Sequence, residues 1–231
     1  MATRPLFIPN LTGEPGAEER LLEFKWHPGM AKSQKQKSIC ELHSVAHSFG
    51  FDRVLEISSK SENELGIKLS AFNLLIETKK KKNIFTVETA FQGSKVFSRG
   101  GPYKDLFGLD SLSAKKDIRL KESGNLIGFE FFGKMFPLEP RTYFYDWIYI
   151  NALANNEELS KEVLSYDAFT DIEFNPKKSI NCQAHSVAVY LSLAKIGMIS
   201  DALSSPEDFL EILKSHYTKQ ERNVGVQDSL I

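Results

Sequence analysis

ETAFQGSKVF at residues 88–97, with LSAFN at residues 69–73 before it, is the stretch of this chain that carries the strongest pattern. If residues 88–97 form a helix, Glu88, Gln92 and Lys95 lie on one face, because side chains three and four positions apart share a side. The opposite face is apolar and can pack against a core. A carboxylate and an amine on one rigid element supply proton transfer beside a nucleophilic lysine. The same spacing is most often that of a surface ion pair.

Turn residues and apolar periodicity divide the rest of the chain into predicted elements. The prolines and glycines of residues 1–31 predict an extended arm, and residues 103–138 predict irregular structure. Ser33, Ser113 and Asn181 are predicted helix caps. Helices outnumber strands, and the strands cluster in the middle, which predicts an α+β fold rather than a repeated βαβ fold. Strands are predicted at residues 53–57, 69–77, 84–87 and 169–174, and helices at residues 33–49, 88–99, 140–155, 157–164, 181–197 and from 205.

The composition is that of a soluble globular protein: the 231 residues are 42% hydrophobic and 26% charged, which suits one sizeable domain. The net charge of −1 excludes a global attraction to nucleic acid, so contacts to DNA must come from local patches such as the lysines at 79–82. Cys40 and Cys182 lie in no metal-ligand pattern and are predicted to be reduced, buried thiols. With no signal peptide and no run of about 18 apolar residues, the sequence predicts a cytoplasmic protein without a membrane partner.

The two segments of the opening stretch resemble a known family. Leu69-Ser70-Ala71-Phe72 and Glu88-x-x-x-Gln92-x-x-Lys95-x-Phe97 are similar to the NADAR (YbiA-like) N-glycosidases, whose usual form is Leu-Ser-Asn-Phe and then Glu-His-x-x-Gln-x-x-Lys-Phe. Weaker matches follow in order over roughly residues 55–197: Asp146-Trp147, Asn156-Glu157-Glu158-Leu159, and Asp171-Ile172-Glu173 with Asn181. The departures are Ala71 for Asn, Thr89 for His, an extra residue before Phe97, and Ser179-Ile180 for Trp-Gly. The resemblance implies a single NADAR domain, α+β and mostly helical with a small central β-sheet.

A finer resemblance concerns three other segments. LFIPN at residues 6–10, FKWHPG at 24–29 and NPKKSINCQ at 175–183 resemble the NADAR antitoxins encoded beside DarT-type toxins. Those toxins attach ADP-ribose to guanine in single-stranded DNA, and the resemblance implies an antitoxin that removes it. The implied partners are ADP-ribosylated single-stranded DNA, the product ADP-ribose and the DarT-type toxin. The implied division is 1–54 for an N-terminal arm and helix specific to the subfamily, 55–216 for the NADAR domain and 217–231 for a polar tail.

The resemblance also implies roles for individual residues. Lys95 is implied to be the nucleophile that captures the opened ribose as a Schiff base, and Glu88 the general acid and base that protonates guanine and then activates water. Burial or a positive neighbour must lower the pKa of Lys95, since free lysine is protonated at neutral pH. No cofactor and no metal are required. The implied substrate-binding residues are Ser70, Asn73, Gln92, Trp147, Asp171, Glu173, Lys178 and Asn181, and strand alternation predicts Asp171 and Glu173 on one face.

Two other functions fit the same residues. Other YbiA-like proteins are similar to glycosidases that act on phosphorylated ribosyl intermediates of riboflavin synthesis. A non-catalytic antitoxin that binds ADP-ribose or the toxin would hold modified DNA without turning it over. Several residues also fit structural roles: Trp147 in a core, Ser70 and Asn73 at strand-end backbone groups, and Asp171 or Glu173 in solvent.

Overall fold

A computed structural model of the chain describes residues 1–78 and 83–220. The strands of this part form a four-stranded sheet, a hairpin and a three-stranded sheet. Their bounds are β1 (Ala2–Pro9), β2 (Ala17–Phe24), β3 (Val54–Glu56), β4 (Leu75–Glu77), β5 (Ile84–Thr86), β6 (Lys95–Phe97), β7 (Leu126–Phe131), β8 (Lys134–Phe136) and β9 (Ala168–Thr170). The strand order is β2-β1-β9-β3 in the main sheet and β6-β7-β8 in the smaller one, and β4 pairs with β5.

The helices surround these sheets. They are α1 (Lys32–Ser48), α2 (Glu64–Lys68), α3 (Val87–Gly93), α4 (Ser111–Lys115), α5 (Arg119–Glu122), α6 (Tyr143–Ala154), α7 (Glu157–Glu162), α8 (Gln183–Ile196), α9 (Ile199–Ala202), α10 (Pro206–Ile212) and α11 (Lys214–Lys219). Short 3₁₀ turns add Lys104–Gly108 and Val163–Ser165. The prediction of a single, mostly helical α+β domain is confirmed.

The N-terminal segment is a hairpin of the main sheet rather than an arm. Strands β1 and β2 pair antiparallel along their whole length, from Ala2 opposite Phe24 to Pro9 opposite Ala17. Strand β9 joins the other side of β1, where it pairs only with Leu6 and Phe7. The prolines of β1 thus lie outside its three-stranded part. The predicted boundary at residue 54 falls inside the sheet, because β3 begins there and pairs parallel with β9.

Alternation in β1 divides the core between two layers of helices. Leu6 and Phe7 are both fully buried, and neighbouring strand residues point to opposite faces. Leu6 packs with Leu42 and other apolar residues of α1. Phe7 packs in the larger core that holds the apolar side chains of α6 and α8. The main sheet is therefore covered on both faces, and the larger core lies between it and the element that carries Glu88.

Asp146, the acid of the Asp-Trp pair, lies in the core between α6 and α8. Its carboxylate accepts hydrogen bonds from the Ser186 hydroxyl at 2.6 Å and the Tyr217 hydroxyl at 3.3 Å, and its Oδ1 lies 3.2 Å from His185 Nδ1. Burial works against ionisation, but His185 and these donors hold the pKa of Asp146 below its ordinary value. Tyr217 is fully buried, so the predicted tail does not begin there; residues 221–231 lie outside the described part.

The largest differences from the predicted elements surround residues 69–97. Helix α3 ends at Gly93 instead of continuing to residue 99, and Lys95 begins strand β6. Residues 69–74 form a turn, and the strand predicted from residue 69 begins only at Leu75. The segment predicted to be irregular contains β7 and β8, whose Phe129 lies opposite Lys95 of β6.

Local signals were correct for some helix termini and wrong for others. Ser205 caps α10 by accepting the Asp208 N–H at 3.0 Å, as the Ser-Pro-Glu-Asp start predicts. Helix α1 begins after Ala31 rather than Ser33, and Asp110 rather than Ser113 caps α4. Cys40 is exposed, against the prediction, because it lies on the outer side of α1.

Candidate active site

Glu88 is held in the first turn of α3 by the turn that precedes β4. Thr86 caps this helix: its Oγ1 accepts the Thr89 N–H at 3.2 Å, and the Thr89 Oγ1 accepts the Thr86 N–H at 3.1 Å. The Glu88 N–H donates to the Ala71 carbonyl oxygen at 2.9 Å. Glu88 itself is only 6% exposed. Thr89, which replaces the histidine of the resembled motif, thus closes the capping box that fixes the carboxylate.

Lys95 reaches the same place from a different element. Helix α3 has ended by then, so Lys95 does not share its helical face with Glu88 as predicted. Its Nζ nevertheless lies 4.9 Å above the ring of Phe91, and the charge of Glu88 acts on it. The backbone of Lys95 is closely backed by Gly101, where an added Cβ would lie 2.3 Å from the Lys95 oxygen. Gly101 also has a φ of +77°, which favours glycine.

The surroundings of Lys95 favour a neutral amine. The pKa of Lys95 is lowered to about 8, chiefly by burial; the charge of Glu88 opposes this shift, and the positive charge of Lys115 adds to it. Lysine becomes a useful nucleophile when its surroundings lower its pKa in this way. The prediction of a perturbed amine is therefore confirmed in direction, although its position on a strand was not foreseen.

One oxygen of Glu88 has a hydrogen-bond donor and an ion-pair partner. Gln92 Nε2 donates to Glu88 Oε1 at 2.9 Å, and Lys115 Nζ lies 3.9 Å from the same atom. The Gln92 Oε1 is buried and has no hydrogen-bond partner in the described residues, and the same holds for Ser94 Oγ and Asn181 Oδ1. Buried polar atoms without partners are costly unless a ligand or water satisfies them. Gln92 and Asn181 thus have oxygens available to a ligand, and Cys182 rather than Asn181 holds the N-cap position of α8.

Asp171 and Glu173 have different environments, although alternation predicts one face for both. Strand β9 ends at Thr170, so alternation no longer applies to the turn that follows. Asp171 is buried, and its Oδ1 accepts the N–H groups of Glu173 and Phe174 at 2.9 and 3.1 Å. Glu173 is exposed, with its carboxylate 3.9 Å from Lys60 Nζ. Asp171 is therefore the acid that points inward.

Two buried acids and one buried tyrosine lie behind the proposed site. Burial, with the charge of Glu56 as the next cause, raises the pKa of Asp171 well above its ordinary value. Glu56 is buried and accepts hydrogen bonds from Ser58, Thr170 and the Ile172 N–H at 2.6 to 2.9 Å. Burial and the charges of Glu88 and Asp171 raise the pKa of Tyr145, so its phenol stays neutral. Its ring meets Phe91 edge-on at 5.2 Å.

Gln183 was not predicted, yet it joins the two halves of the site. Its Oε1 accepts the Ala71 N–H at 2.7 Å, and its Nε2 donates to the Ile57 carbonyl at 2.6 Å. Ala71 is thus held at its N–H by Gln183 and at its carbonyl by the Glu88 N–H. Nothing in the local spacing indicates this contact, because Ala71 and Gln183 are 112 residues apart in sequence.

The other predicted substrate-binding residues do not gather around Glu88 in the same way. Ser70 is buried in the turn, where its hydroxyl accepts the Phe72 N–H at 3.4 Å. Asn73 is exposed, and its amide donates to the Ile67 carbonyl at 2.9 Å, which stabilises the turn. Trp147 packs edge-on against Phe209 of α10 at 5.4 Å, a core contact. Lys178 is exposed on the loop before α8.

Metal binding has no evident place in the described part of the chain. Residues 1–78 and 83–220 contain no cluster of three or more histidine, cysteine, aspartate or glutamate side chains that could hold an ion. The lysine run proposed as a DNA contact, residues 79–82, lies outside the described residues. At the candidate site, the Lys95 amine and the Glu88 carboxylate are groups that can take part in chemistry, with Gln92 and Lys115 beside Glu88.

Comparison with known families identifies the group to which this arrangement belongs. The family model of the DarT1-associated NADAR antitoxin matches residues 2–223. The chain belongs to this family. The resemblance seen in the sequence is thereby confirmed, for the NADAR family and for its antitoxin branch. The search of curated proteins found no match.

Membership in this NADAR family establishes part of the function. The protein is an antitoxin of a toxin–antitoxin pair whose toxin is of the DarT type, and the wider NADAR family is generally N-glycosidase-like. Across residues 1–78 and 83–220, each helix is too short or too polar to traverse a bilayer. The family match extends to both ends of the described part and includes the hairpin β1–β2.

Proposed function

We propose that this NADAR antitoxin is a glycohydrolase that removes ADP-ribose from the N2 of guanine in single-stranded DNA. The observation that carries the proposal is the Lys95 amine, whose pKa is lowered to about 8, beside the buried carboxylate of Glu88. Both residues stand in the family motif, and the DarT1-associated family supplies the kind of lesion. DNA with ADP-ribose on guanine is the substrate that such an antitoxin would have to repair.

The proposed reaction begins with a neutral amine, which forms when the Lys95 ammonium passes a proton to Glu88. The amine bonds to ribose C1″ as the bond from C1″ to the ring oxygen breaks, and the amine's proton moves to that oxygen. Guanine then leaves from C1″ with the proton of Glu88, and a protonated Schiff base remains between Nζ and C1″.

Hydrolysis returns the enzyme to its starting state. Glu88, again a carboxylate, takes a proton from a water molecule whose oxygen bonds to C1″. The ribose hydroxyl then adds to C1″ and closes the sugar ring as the bond between C1″ and Nζ breaks; the proton of that hydroxyl and the proton held by Glu88 pass to Nζ, which leaves as the Lys95 ammonium. The products are ADP-ribose and unmodified guanine, so the net co-reactant is one water molecule.

Two buried oxygens of the predicted substrate-binding residues suit a sugar substrate. Gln92 Oε1 and Asn181 Oδ1 are buried acceptors without partners in the described residues, which suits ribose hydroxyl donors. Single-stranded DNA suits the site because a modified base must leave the stack to enter a pocket. The net charge of −1 means that affinity for the strand would come from local contacts.

A single-turnover experiment tests the proposal. Excess protein is mixed with an oligonucleotide that carries ADP-ribose on one guanine, and free ADP-ribose is measured; borohydride quenching should trap the ADP-ribose on Lys95. Lys95→Ala should abolish both release and trapping. Lys161→Ala is the matched control, because Lys161 forms a surface ion pair with Glu157 at 3.1 Å and should behave as wild type.

Two results would refute the proposal. Tight binding of the modified oligonucleotide without release would favour a non-catalytic antitoxin. Release of base from phosphorylated ribosyl intermediates of riboflavin synthesis, but not from modified DNA, would favour the other glycosidase activity. In cells, the wild-type chain should rescue growth during expression of the toxin, and Lys95→Ala should not.

A further inference from the structure

Lys115 is a second lysine at the site that no motif indicates. It is the last residue of α4, and its Nζ lies 3.9 Å from Glu88 Oε1 and 5.1 Å from the centre of the Phe72 ring. Glu88 is buried, whereas the Lys115 side chain is 54% exposed. The Lys115 side chain therefore reaches solvent, while the carboxylate beside it is shielded from water.

Helix α4 is fixed against the elements that hold Glu88. The hydroxyl of Ser111, its first residue, is 2.8 Å from the hydroxyl of Thr86, the cap of α3. The same Ser111 hydroxyl donates to the Phe72 carbonyl at 3.1 Å. Helix α4 is thus hydrogen-bonded to the turn that contains Phe72 and to the cap of the helix that carries Glu88. Lys115 therefore extends from a positioned backbone.

The charges near Lys95 come from several elements. Glu88 on α3 favours the protonated amine, and Lys115 on α4 disfavours it. Tyr145 on α6 is neutral. On β7, Glu130 is 2.6 Å from Lys104 and has its own partner. Lys115 is therefore the cation that opposes Glu88 at the Lys95 amine.

We propose that Lys115 is a positioning residue, which orients the Glu88 carboxylate and keeps a positive charge beside the Lys95 amine. Gln92 Nε2 donates to Glu88 Oε1 and the Lys115 ammonium forms an ion pair with the same oxygen at 3.9 Å, which leaves Oε2 for the proton transfers. The expected effect of Lys115 on turnover rests on the proposed function. The expected effect of Lys115 on the Lys95 amine does not, so the two effects can be tested separately.

The first experiment titrates Lys95 without any substrate. Competitive labelling with a trace amine-acylating reagent, read by mass spectrometry across pH, gives the apparent pKa of Lys95 in each variant. Lys115→Met should raise that pKa by about half to one unit, as expected for the loss of a nearby like charge in a partly solvated site. Lys115→Arg should leave it near the wild-type value, and Lys161→Met is the surface control.

Salt adds a readout that a merely structural role would not change. Because Lys115 is exposed, added salt should screen its charge and raise the pKa of Lys95 in wild type, with a smaller rise in Lys115→Met. An unchanged Lys95 pKa in Lys115→Met, with the folded spectrum of wild type, would overturn the proposal. A rise of the same size in Lys115→Arg would also overturn it, because arginine retains the charge.

The second experiment measures turnover of the ADP-ribosylated oligonucleotide. Near neutral pH, Lys115→Met should slow single-turnover release about three- to tenfold or more, since the neutral fraction of the Lys95 amine falls and Glu88 loses its ion-pair partner. The part of this slowing that is due to the Lys95 amine should vanish above about pH 10, where Lys95 is neutral both in wild type and in Lys115→Met. If no variant, wild type included, releases ADP-ribose while the labelling shift is present, the proposed function fails and the charge effect of Lys115 stands.

Discussion

The pH dependence of Schiff-base formation tests the site most directly, because the reactive amine must be neutral. Burial lowers the pKa of Lys95 from 10.5 to about 8. At about pH 7.5, a group of pKa about 8 is neutral in about a quarter of the molecules, against about one in a thousand for an unperturbed lysine. The environment of Lys95 should therefore raise the amount of reactive amine roughly 200-fold at this pH.

The assay separates the reaction from the trapping step. Protein and ADP-ribosylated oligonucleotide react for milliseconds to seconds at each pH, and every sample is then quenched into alkaline borohydride of constant composition. The amount of ADP-ribose bound covalently to the protein, read on a denaturing gel at each reaction time, gives the rate of Schiff-base formation. Below about pH 7 the rate should rise about tenfold per pH unit, and it should level off just above pH 8.

One outcome would refute the reasoning outright. If the rate continues to rise tenfold per unit up to about pH 10, the amine behaves as a solvated lysine and the site does not prepare it for attack. Lys95→Arg, which keeps the charge but cannot form the Schiff base, should give no adduct at any pH. Lys161→Ala, which removes a solvent-exposed amine, should reproduce the wild-type profile.

Three further predictions concern the residues around the amine. Glu88→Gln keeps the size of the side chain but cannot transfer a proton, so single-turnover release should fall about 10²- to 10⁴-fold while the oligonucleotide still binds. Gln183→Leu leaves the N–H of Ala71 and the carbonyl of Ile57 without this partner and should cost about 2 to 4 kcal/mol in urea unfolding; an unchanged midpoint would contradict the role assigned to it. For Asp171, burial raises the folded pKa above the ordinary 3.8, so the folded state keeps a proton that the unfolded chain has lost, and stability should fall as pH rises above about 4. Asp171→Asn should remove that fall, by up to about 1.4 kcal/mol per pH unit, when urea midpoints are compared at acidic and neutral pH.

The sequence predicted those parts of the fold that depend on local periodicity. Helices α1, α6 and α10 lie close to their predicted positions, because apolar spacing and terminal signals act within a few residues. The N-terminal hairpin was missed because its prolines indicate an irregular arm, whereas its place depends on pairing with β9. That pairing joins Phe7 to Phe169, and no local pattern contains such information.

The sequence predicted one contact of the candidate site but not its overall geometry. Glu88 and Gln92 do share a helical face and are hydrogen-bonded, as their spacing of four indicates. The helix does not continue to Lys95, and Gly93 is the signal that was overlooked, since glycine favours the end of a helix. Lys115 and Gln183 reach the site only through tertiary packing of α4 and α8, which the linear motif does not specify.

Glu88 lies on a helix and Lys95 on a strand, and Phe91 is the residue that connects these two elements. On a helix, the separation of Glu88 and Lys95 would follow from helical geometry alone. Here α3 carries the acid and β6 the amine, and the pairing of Lys95 with Phe129 of β7 fixes the strand. Phe91, on the helix, packs against Phe129 at 5.4 Å between ring centres and lies 4.9 Å below the Lys95 amine. The ring therefore couples helix to strand and also provides part of the apolar surface that desolvates the amine, so the reactive pair exists only when these layers are packed together.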